Sequence, residues 1–193
     1  MLARRSLLTV LAPVLLWGAT WSPAAHAAGQ TLLPAQSEVT FVAKQLGVPL
    51  HGRFKRFSAQ TAFDPKALPS STIAFQVDLG SVALNPDADT ELRKPEWFNT
   101  GKFPQATFQS TAIQALGGGK YQVRGKLTIK GQARDLVVPV QLSQAQGLST
   151  ATGQFALKRL DYKIGEGDWT DTAIVANDVQ VQFKLVLQGV PAQ

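Results

Sequence analysis

Carboxylates are the side chains of this sequence that could do chemistry, and they gather in its last third. The acids concerned are Asp161, Glu166, Asp168, Asp171 and Asp178. Paired carboxylates can act as a general acid and base, and carboxylate oxygens bind calcium. Their spacing matches no calcium-binding loop, and loops are often acidic because they are solvated. We interpret them as solvated loop or turn-forming side chains, with a catalytic role alongside Arg159 as the alternative.

Other catalytic and metal-binding patterns are missing from the sequence. There is no cysteine, and of the two histidines only His51 lies outside the N-terminal leader described below. A zinc site or a triad with a histidine base is therefore not expected. GGGK at 117–120 and GEGDWT at 165–170 lack the full spacing of a P-loop and of a dinucleotide fingerprint. We predict no catalytic residue, no metal and no cofactor, and we place His51 in a surface loop or turn.

The first 27 residues have the pattern of a secretory signal peptide. Arg4 and Arg5 precede an apolar run from residue 7 to about residue 19, and an A-x-A pattern ends at Ala27. We expect cleavage near Ala27, export to the periplasm by the Sec or the twin-arginine route, and a mature domain at residues 28–193. Loss of the two arginines lowers the formal net charge from +6 to about +4. That charge is too mild and too scattered to indicate nucleic-acid binding.

The mature segment alternates apolar and polar residues with a period of two, which is typical of an all-β domain. Eight strands are predicted, at residues 37–45, 52–63, 71–82, 105–116, 120–131, 133–143, 150–162 and 178–188. In the second strand Phe54 is out of phase with Phe57, which predicts a bulge near Arg56. A short helix is expected within residues 87–104, interrupted by Pro95, and GGGK fits a hairpin turn.

One apolar face per strand is compatible with two stacked sheets or with one sheet rolled into a barrel. Eight antiparallel strands are about the number at which a closed barrel can hold one small ligand, and closure removes exposed edges. The inward candidates are mostly Phe, Val and Leu, so an enclosed space would be apolar. We therefore predict an all-β fold, an eight-stranded antiparallel barrel with a short helix between strands 3 and 4.

Three aromatic residues lie outside the predicted strands. Trp97 and Phe98 fall in the predicted helix, and Trp169 falls in the acidic loop. They could be plugs that close the barrel ends. They could equally form the mouth of a cavity, where amphipathic rings contact an entering apolar chain.

Several segments together resemble the YceI family of periplasmic polyisoprenoid-binding proteins. These are SEVTFVAKQLGVPLHGRF at 37–54, WFNTGKFPQATFQS at 97–110, GKLTIKG at 125–131 and KRLDYKIGEGDWTDTAIVANDVQVQFKL at 158–185. Lys163 and Ile164 depart slightly from the usual aromatic-glycine pairing of the family. The resemblance implies a lipocalin-like eight-stranded barrel whose apolar tunnel holds an isoprenoid quinone or a polyprenyl lipid, without established catalytic residues.

Our leading hypothesis is a carrier or store, not an enzyme, whose tunnel wall binds the lipid. The predicted wall residues are Val39, Phe41, Phe75, Val77, Phe108, Leu127, Ile129, Phe155, Leu157, Val181 and Phe183, with Trp97, Phe98 and Trp169 at the mouth. The alternatives are a lipid-modifying enzyme that uses the loop carboxylates, and an interaction module for a membrane redox partner. Transient contact with a membrane is a further expectation, as is a monomer or dimer. An outer-membrane barrel is disfavoured because no aromatic girdles flank the strands.

Overall fold

The computed structural model describes residues 29–192, which form one antiparallel sheet and one short α-helix. The strands are β1 (Thr31–Leu32), β2 (Glu38–Gln45), β3 (Val48–Phe54), β4 (Phe57–Ala62), β5 (Thr72–Asp78), β6 (Val82–Ala83), β7 (Gln105–Gly117), β8 (Lys120–Ile129), β9 (Gln132–Ala145), β10 (Leu148–Lys158) and β11 (Asp178–Gln188). The helix α1 is Pro86–Leu92. Within residues 29–192 no helix is long and apolar enough to span a membrane. The predicted signal peptide lies outside the described residues.

The sheet curls around a single interior and so forms a half-barrel. Its strand order is β4-β5-β7-β8-β9-β10-β11-β2-β3-β6, with β1 paired to β11. The predicted antiparallel barrel with a short helix before the long β7 strand is confirmed. The sheet has eleven strands instead of eight. Two of the additional strands, β1 and β6, are only two residues long. The hydrogen-bonded ladder ends at β4 and at β6, which leaves a seam between them.

The chain breaks between β3 and β4, where the sequence predicted a bulge within one strand. The Lys55 N–H donates to the carbonyl oxygen of Ser81 at 3.1 Å, and the Arg56 N–H donates to the hydroxyl oxygen of Ser81 at 3.0 Å. Ser81 is buried and satisfies both donors at the point where they leave the ladder. Phe54 and Phe57 are out of phase because they belong to different strands: the chain leaves β3 and crosses the seam to enter β4. The prediction of a bulge near Arg56 is therefore wrong.

Within the described residues, four hairpins use two-residue turns whose second residue is glycine. The turns are Leu46-Gly47, Gly118-Gly119, Lys130-Gly131 and Gln146-Gly147, and all eight residues have positive φ. Positive φ at both central positions defines the type I′ turn, whose twist matches that of the flanking strands. Since the Leu46-Gly47 turn is so short, β3 begins at Val48 and His51 lies in a strand. The prediction of a loop or turn at His51 is therefore wrong, whereas the hairpin predicted at GGGK is confirmed.

The helix α1 begins with an Asn85 cap and ends well before the aromatic pair. The Asn85 side-chain oxygen accepts a hydrogen bond from the Ala88 N–H at 2.9 Å. Pro95 stops a helix from continuing because it has no N–H and because it disfavours helical geometry in the residue before it. Trp97 and Phe98 consequently lie in the turns after α1, so their predicted place in the helix is wrong.

Candidate functional site

The curled sheet encloses an apolar cavity of about 280 Å³. Its wall consists of the inward residues of the alternating strands. All the predicted wall residues line it: Val39, Phe41, Phe75, Val77, Phe108, Leu127, Ile129, Phe155, Leu157, Val181 and Phe183. Several of the rings, including Phe75, Phe108 and Phe155, are only partly buried by protein atoms although they face inward. Whether these residues bind lipid stays a prediction.

The cavity runs between two apolar clusters at opposite ends of the barrel. One cluster, which we call the tryptophan end, contains Trp97, Phe98, Tyr162, Ile164 and Val175 among its buried residues. The other, the tyrosine end, contains Phe63, Tyr121 and Leu142. Residues of both clusters line the same cavity, so the space extends along the barrel.

Inward glycines let phenylalanine rings lie flat against the wall. The pairs are Phe41 on Gly52, Phe108 on Gly125 and Phe183 on Gly153. A Cβ on Gly153 would come within 2.5 Å of the Phe183 ring, and one on Gly52 would overlap the Phe41 ring. Because each glycine has no side chain, the ring folds over the neighbouring strand and leaves the centre of the barrel open. A glycine inside a strand pattern is the sequence signal for such a close approach.

At the tryptophan end the predicted mouth residues are packed as a plug. Trp97 and Phe98 are only 8% and 9% exposed. Both line the cavity, whereas Trp169 does not and is partly buried against Trp97, with ring centroids 5.3 Å apart. These positions favour the plug interpretation over an open mouth. A role in admitting ligand would require the rings to move, and that role stays a prediction.

Arg159 is a buried cation at the tryptophan end that binds the backbone of residues 164–176. It is 2% exposed, and all five of its N–H groups donate to backbone carbonyls. The acceptors are the carbonyl oxygens of Ile164, Gly165, Trp169, Val175 and Ala176, at 2.6 to 3.2 Å. Burial lowers the pKa of the guanidinium from its ordinary value, yet arginine stays charged at neutral pH. The acidic loop is therefore folded around one buried cation, which the sequence analysis considered only as a catalytic candidate.

Lys130 is a second buried cation that the sequence analysis missed. Its ammonium donates to the carbonyl oxygens of Pro95 and Lys163 at 2.6 and 2.7 Å, and to a Glu166 carboxylate oxygen at 2.7 Å. These bonds join the turn after α1 to the acidic loop. The sequence does not indicate that Lys130 is buried, because a lysine in a hairpin turn is ordinarily exposed. The departure at Lys163 and Ile164 belongs to this junction, since Lys163 has a left-handed backbone and Ile164 is buried.

The loop acids lie away from the cavity. All five are exposed and none lines it. Asp171 accepts a hydrogen bond from the Ala173 N–H at 2.8 Å, as expected of a turn-forming carboxylate. Glu166 is engaged by Lys130. In the part of the chain that the structure describes, no three His, Cys, Asp or Glu side chains come close enough to hold a metal ion.

A protein-family model matches nearly the whole described domain, and a curated relative matches about half of the chain. A family model described as the YceI-like domain matches residues 30–187. A UPF0312 protein of Vibrio cholerae is 30% identical over 106 residues, or 54% of this chain, and the match spans about half (56%) of the relative's length.

Solved structures share the fold. BcnA of Burkholderia cenocepacia is 43% identical with a TM-score of 0.77, over 80% of this chain and 98% of that one. A domain of Saccharophagus degradans, described as polyisoprenoid-binding and implicated in plant cell wall breakdown, is 19% identical with a TM-score of 0.67, over 84% and 99% of the two chains. This fold is the lipocalin-like barrel that the resemblance implied.

Proposed function

This chain belongs to the YceI-like domain family, and from that premise we propose that it is a periplasmic binding protein that carries an isoprenoid lipid, of the quinone or polyprenyl type. The observation that carries the proposal is the apolar cavity of about 280 Å³ along the barrel axis. The domain of Saccharophagus degradans described as polyisoprenoid-binding has the same fold, which supports the same ligand class here.

The physical chemistry of such a ligand fits a wall of hydrocarbon side chains. An isoprenoid tail has no hydrogen-bonding groups, and each CH₂ group removed from water contributes about 0.8 kcal/mol. A long tail can therefore bind tightly without a charged contact. Ligand cavities commonly measure about 300 to 1,000 Å³, so this cavity of about 280 Å³ is slightly smaller than that range. Partly buried rings such as Phe75, Phe108 and Phe155 would turn aside as a longer tail enters.

A binding role is a better match than catalysis because the loop carboxylates lie outside the cavity. A lipid in the cavity would meet no acid–base pair, and the proposal includes no cofactor besides the lipid. Quinone as the particular cargo, contact with a membrane or a membrane redox protein, and the oligomeric state stay predictions. So do the signal peptide and the route of export.

Mass spectrometry of an organic extract of the protein, purified from the periplasm of its own cells, tests the proposal. We expect a stoichiometric isoprenoid quinone or polyprenyl lipid. A protein that carries no such lipid and also refuses added quinones and polyprenols would overturn it.

A matched pair of variants on β7 tests the wall. Phe108 faces the cavity, whereas its neighbour Gln109 is exposed on the outer face. Phe108→Asp should abolish lipid retention because it places a charge in the apolar space, and Gln109→Asp should keep the lipid. Full retention by Phe108→Asp would refute the assignment of this face as the lipid-binding wall.

A further inference from the structure

One buried hydrogen-bond donor at the tryptophan end has no partner. Among the described residues, the buried side-chain atoms without a hydrogen bond are Trp97 Nε1 and Thr61 Oγ1. A buried donor left unpaired costs about 1 to 3 kcal/mol, and most native proteins have few of them. Thr61 also lines the cavity, but it lies two residues before Phe63 of the tyrosine end, and its hydroxyl can donate or accept. Trp97 is 8% exposed, its indole N–H can only donate, and its side chain lines the cavity.

The two buried cations at this end have all their N–H groups in hydrogen bonds. The five N–H groups of Arg159 all bond to backbone carbonyls. The three N–H groups of Lys130 bond to Pro95, Lys163 and Glu166. Trp97 lines this end of the cavity, so its buried indole N–H is the donor that an entering ligand could engage once the ring turns.

The positive charge of Arg159 beside Trp97 determines which ligand atoms are favoured near the indole N–H. The Arg159 guanidinium lies 5.9 Å from the centre of a Trp97 ring, and its partners are neutral carbonyls. No carboxylate among the described residues lies within ion-pair distance of it. A partial negative charge beside the indole is favoured by this cation. A full anion would lose its hydration in an apolar cavity that offers one spare donor, which is costly.

We propose that the tryptophan end is a head-group subsite, in which Trp97 Nε1 donates a hydrogen bond to a neutral acceptor oxygen, a carbonyl or an ether, of the bound lipid. This inference rests on the proposed function, because the apolar tail occupies the remainder of the same cavity. The subsite distinguishes ligands with the same tail. It favours a neutral oxygen-bearing head over a bare hydrocarbon and over a pyrophosphate.

Three probes that share a farnesyl tail separate these cases: farnesylacetone, farnesene and farnesyl pyrophosphate. Equilibrium dialysis of the lipid-free protein against each probe gives the dissociation constants. Farnesylacetone has three more carbons than farnesene, so part of any preference comes from apolar contact; the hydrogen bond should add a preference of about tenfold that depends on Trp97. The pyrophosphate should bind more weakly than the ketone.

Trp97→Phe keeps an aromatic ring and removes the N–H. This variant should reduce the preference for farnesylacetone over farnesene about tenfold. The preference is a ratio of two dissociation constants of the same variant, so a loss of packing that weakens both ligands equally leaves it unchanged. Trp169→Phe is the matched control, since Trp169 packs on Trp97 but does not line the cavity, and it should keep the preference.

Nuclear magnetic resonance of the wild type gives a readout that needs no variant. The indole N–H resonance of Trp97 should move on addition of farnesylacetone much more than on addition of farnesene. If farnesene and farnesylacetone bind equally and this resonance responds equally, the head-group subsite is refuted while lipid binding stands. If the pyrophosphate binds tightest, the selection of a neutral head is wrong. If none of the probes binds, the proposed function itself fails.

Discussion

The wall of the barrel and the cap at its tryptophan end are built on different physical principles. The wall consists of inward residues on β2, β3, β4, β5, β7, β8, β9, β10 and β11, and it depends on the repeated burial of apolar side chains. The cap consists of residues 93–104 and 159–177, whose loops are tied together by two buried cations. The wall is stabilised by many apolar contacts, each of which contributes little. The cap is stabilised by a few hydrogen bonds from two side chains.

This difference predicts how each region responds to substitution. In an apolar wall, the free energy of unfolding depends on volume and area, so a residue of similar size is tolerated. In the cap, removal of one cation leaves several buried carbonyls without a donor, and each unsatisfied group costs about 1 to 3 kcal/mol. Substitutions in the cap should therefore have the larger effects.

The largest effect is expected from Arg159→Met. It removes five hydrogen bonds at once, and the three that Arg159 makes to Ile164, Gly165 and Val175 are buried. We expect the free energy of unfolding, measured by urea denaturation, to fall by about 3 kcal/mol or more, because each buried carbonyl left without a donor costs about 1 to 3 kcal/mol. Arg159→Lys should recover only part of this, because an ammonium has three donors in a different geometry. Arg134→Met, at an exposed position, is the control, and an equal loss there would contradict the contrast.

A smaller effect is expected from Lys130→Met. The Lys130 side chain is 5% exposed and bonds to two carbonyls and to Glu166, whose side chain is 48% exposed and can be rehydrated. We expect the free energy of unfolding to fall by about 2 to 3 kcal/mol, within the range for hydrogen bonds to charged groups.

The matched control for Lys130 is a lysine on the outside of β8, the strand that ends at Ile129. Lys126 pairs with Asp135 at 2.8 Å, but its side chain is 59% exposed. Exposed ion pairs contribute about 0 to 1 kcal/mol, so Lys126→Met should scarcely alter the unfolding curve. Equal losses for the two variants would show that burial of the cation is not what stabilises the cap.

On the wall, Gly52→Ala tests whether the inward glycines keep the phenylalanine rings out of the centre of the cavity. The new methyl group would overlap the Phe41 ring and force it toward the centre of the cavity. We expect a loss of stability of about 1 to 2 kcal/mol from overpacking and weaker retention of a long tail. The double variant Gly52→Ala with Phe41→Leu should regain retention because the smaller side chain leaves room. If retention stayed low in the double variant, the ring would not be the obstruction.

The wall could be predicted from the sequence because its signal is local and repeated. Alternation along β11 places Val181 and Phe183 on the same face of the strand, and this follows from the local sequence alone. The strands β5 and β8 show the same pattern. The seam was harder to predict, because the break after Phe54 depends on Ser81, more than twenty residues away in sequence. The start of β3 was missed because Leu46-Gly47 lacks the Asn or Asp that usually identifies a type I′ turn.

The cap could not be predicted in the same way because its contacts are non-local and its residue types are ordinarily exposed. Lys130 bonds to a turn 35 residues before it and to a loop 36 residues after it. No periodicity indicates such a contact. Trp97 was recognised as unusual only because it fell outside the strands, and its unpaired N–H depends on how the loops around it pack.

The smallest effect is expected from Leu136→Met on the wall. Leu136 lines the cavity and is partly buried, and methionine has a similar volume with more freedom to adapt. We expect the free energy of unfolding to change by less than about 1.5 kcal/mol and lipid retention to stay as in the wild type. Urea denaturation and mass spectrometry of the extracted lipid measure both quantities. A loss as large as that of Lys130→Met would mean that the wall depends on the identity of its side chains as strongly as the cap does, and the contrast between the two regions would not hold.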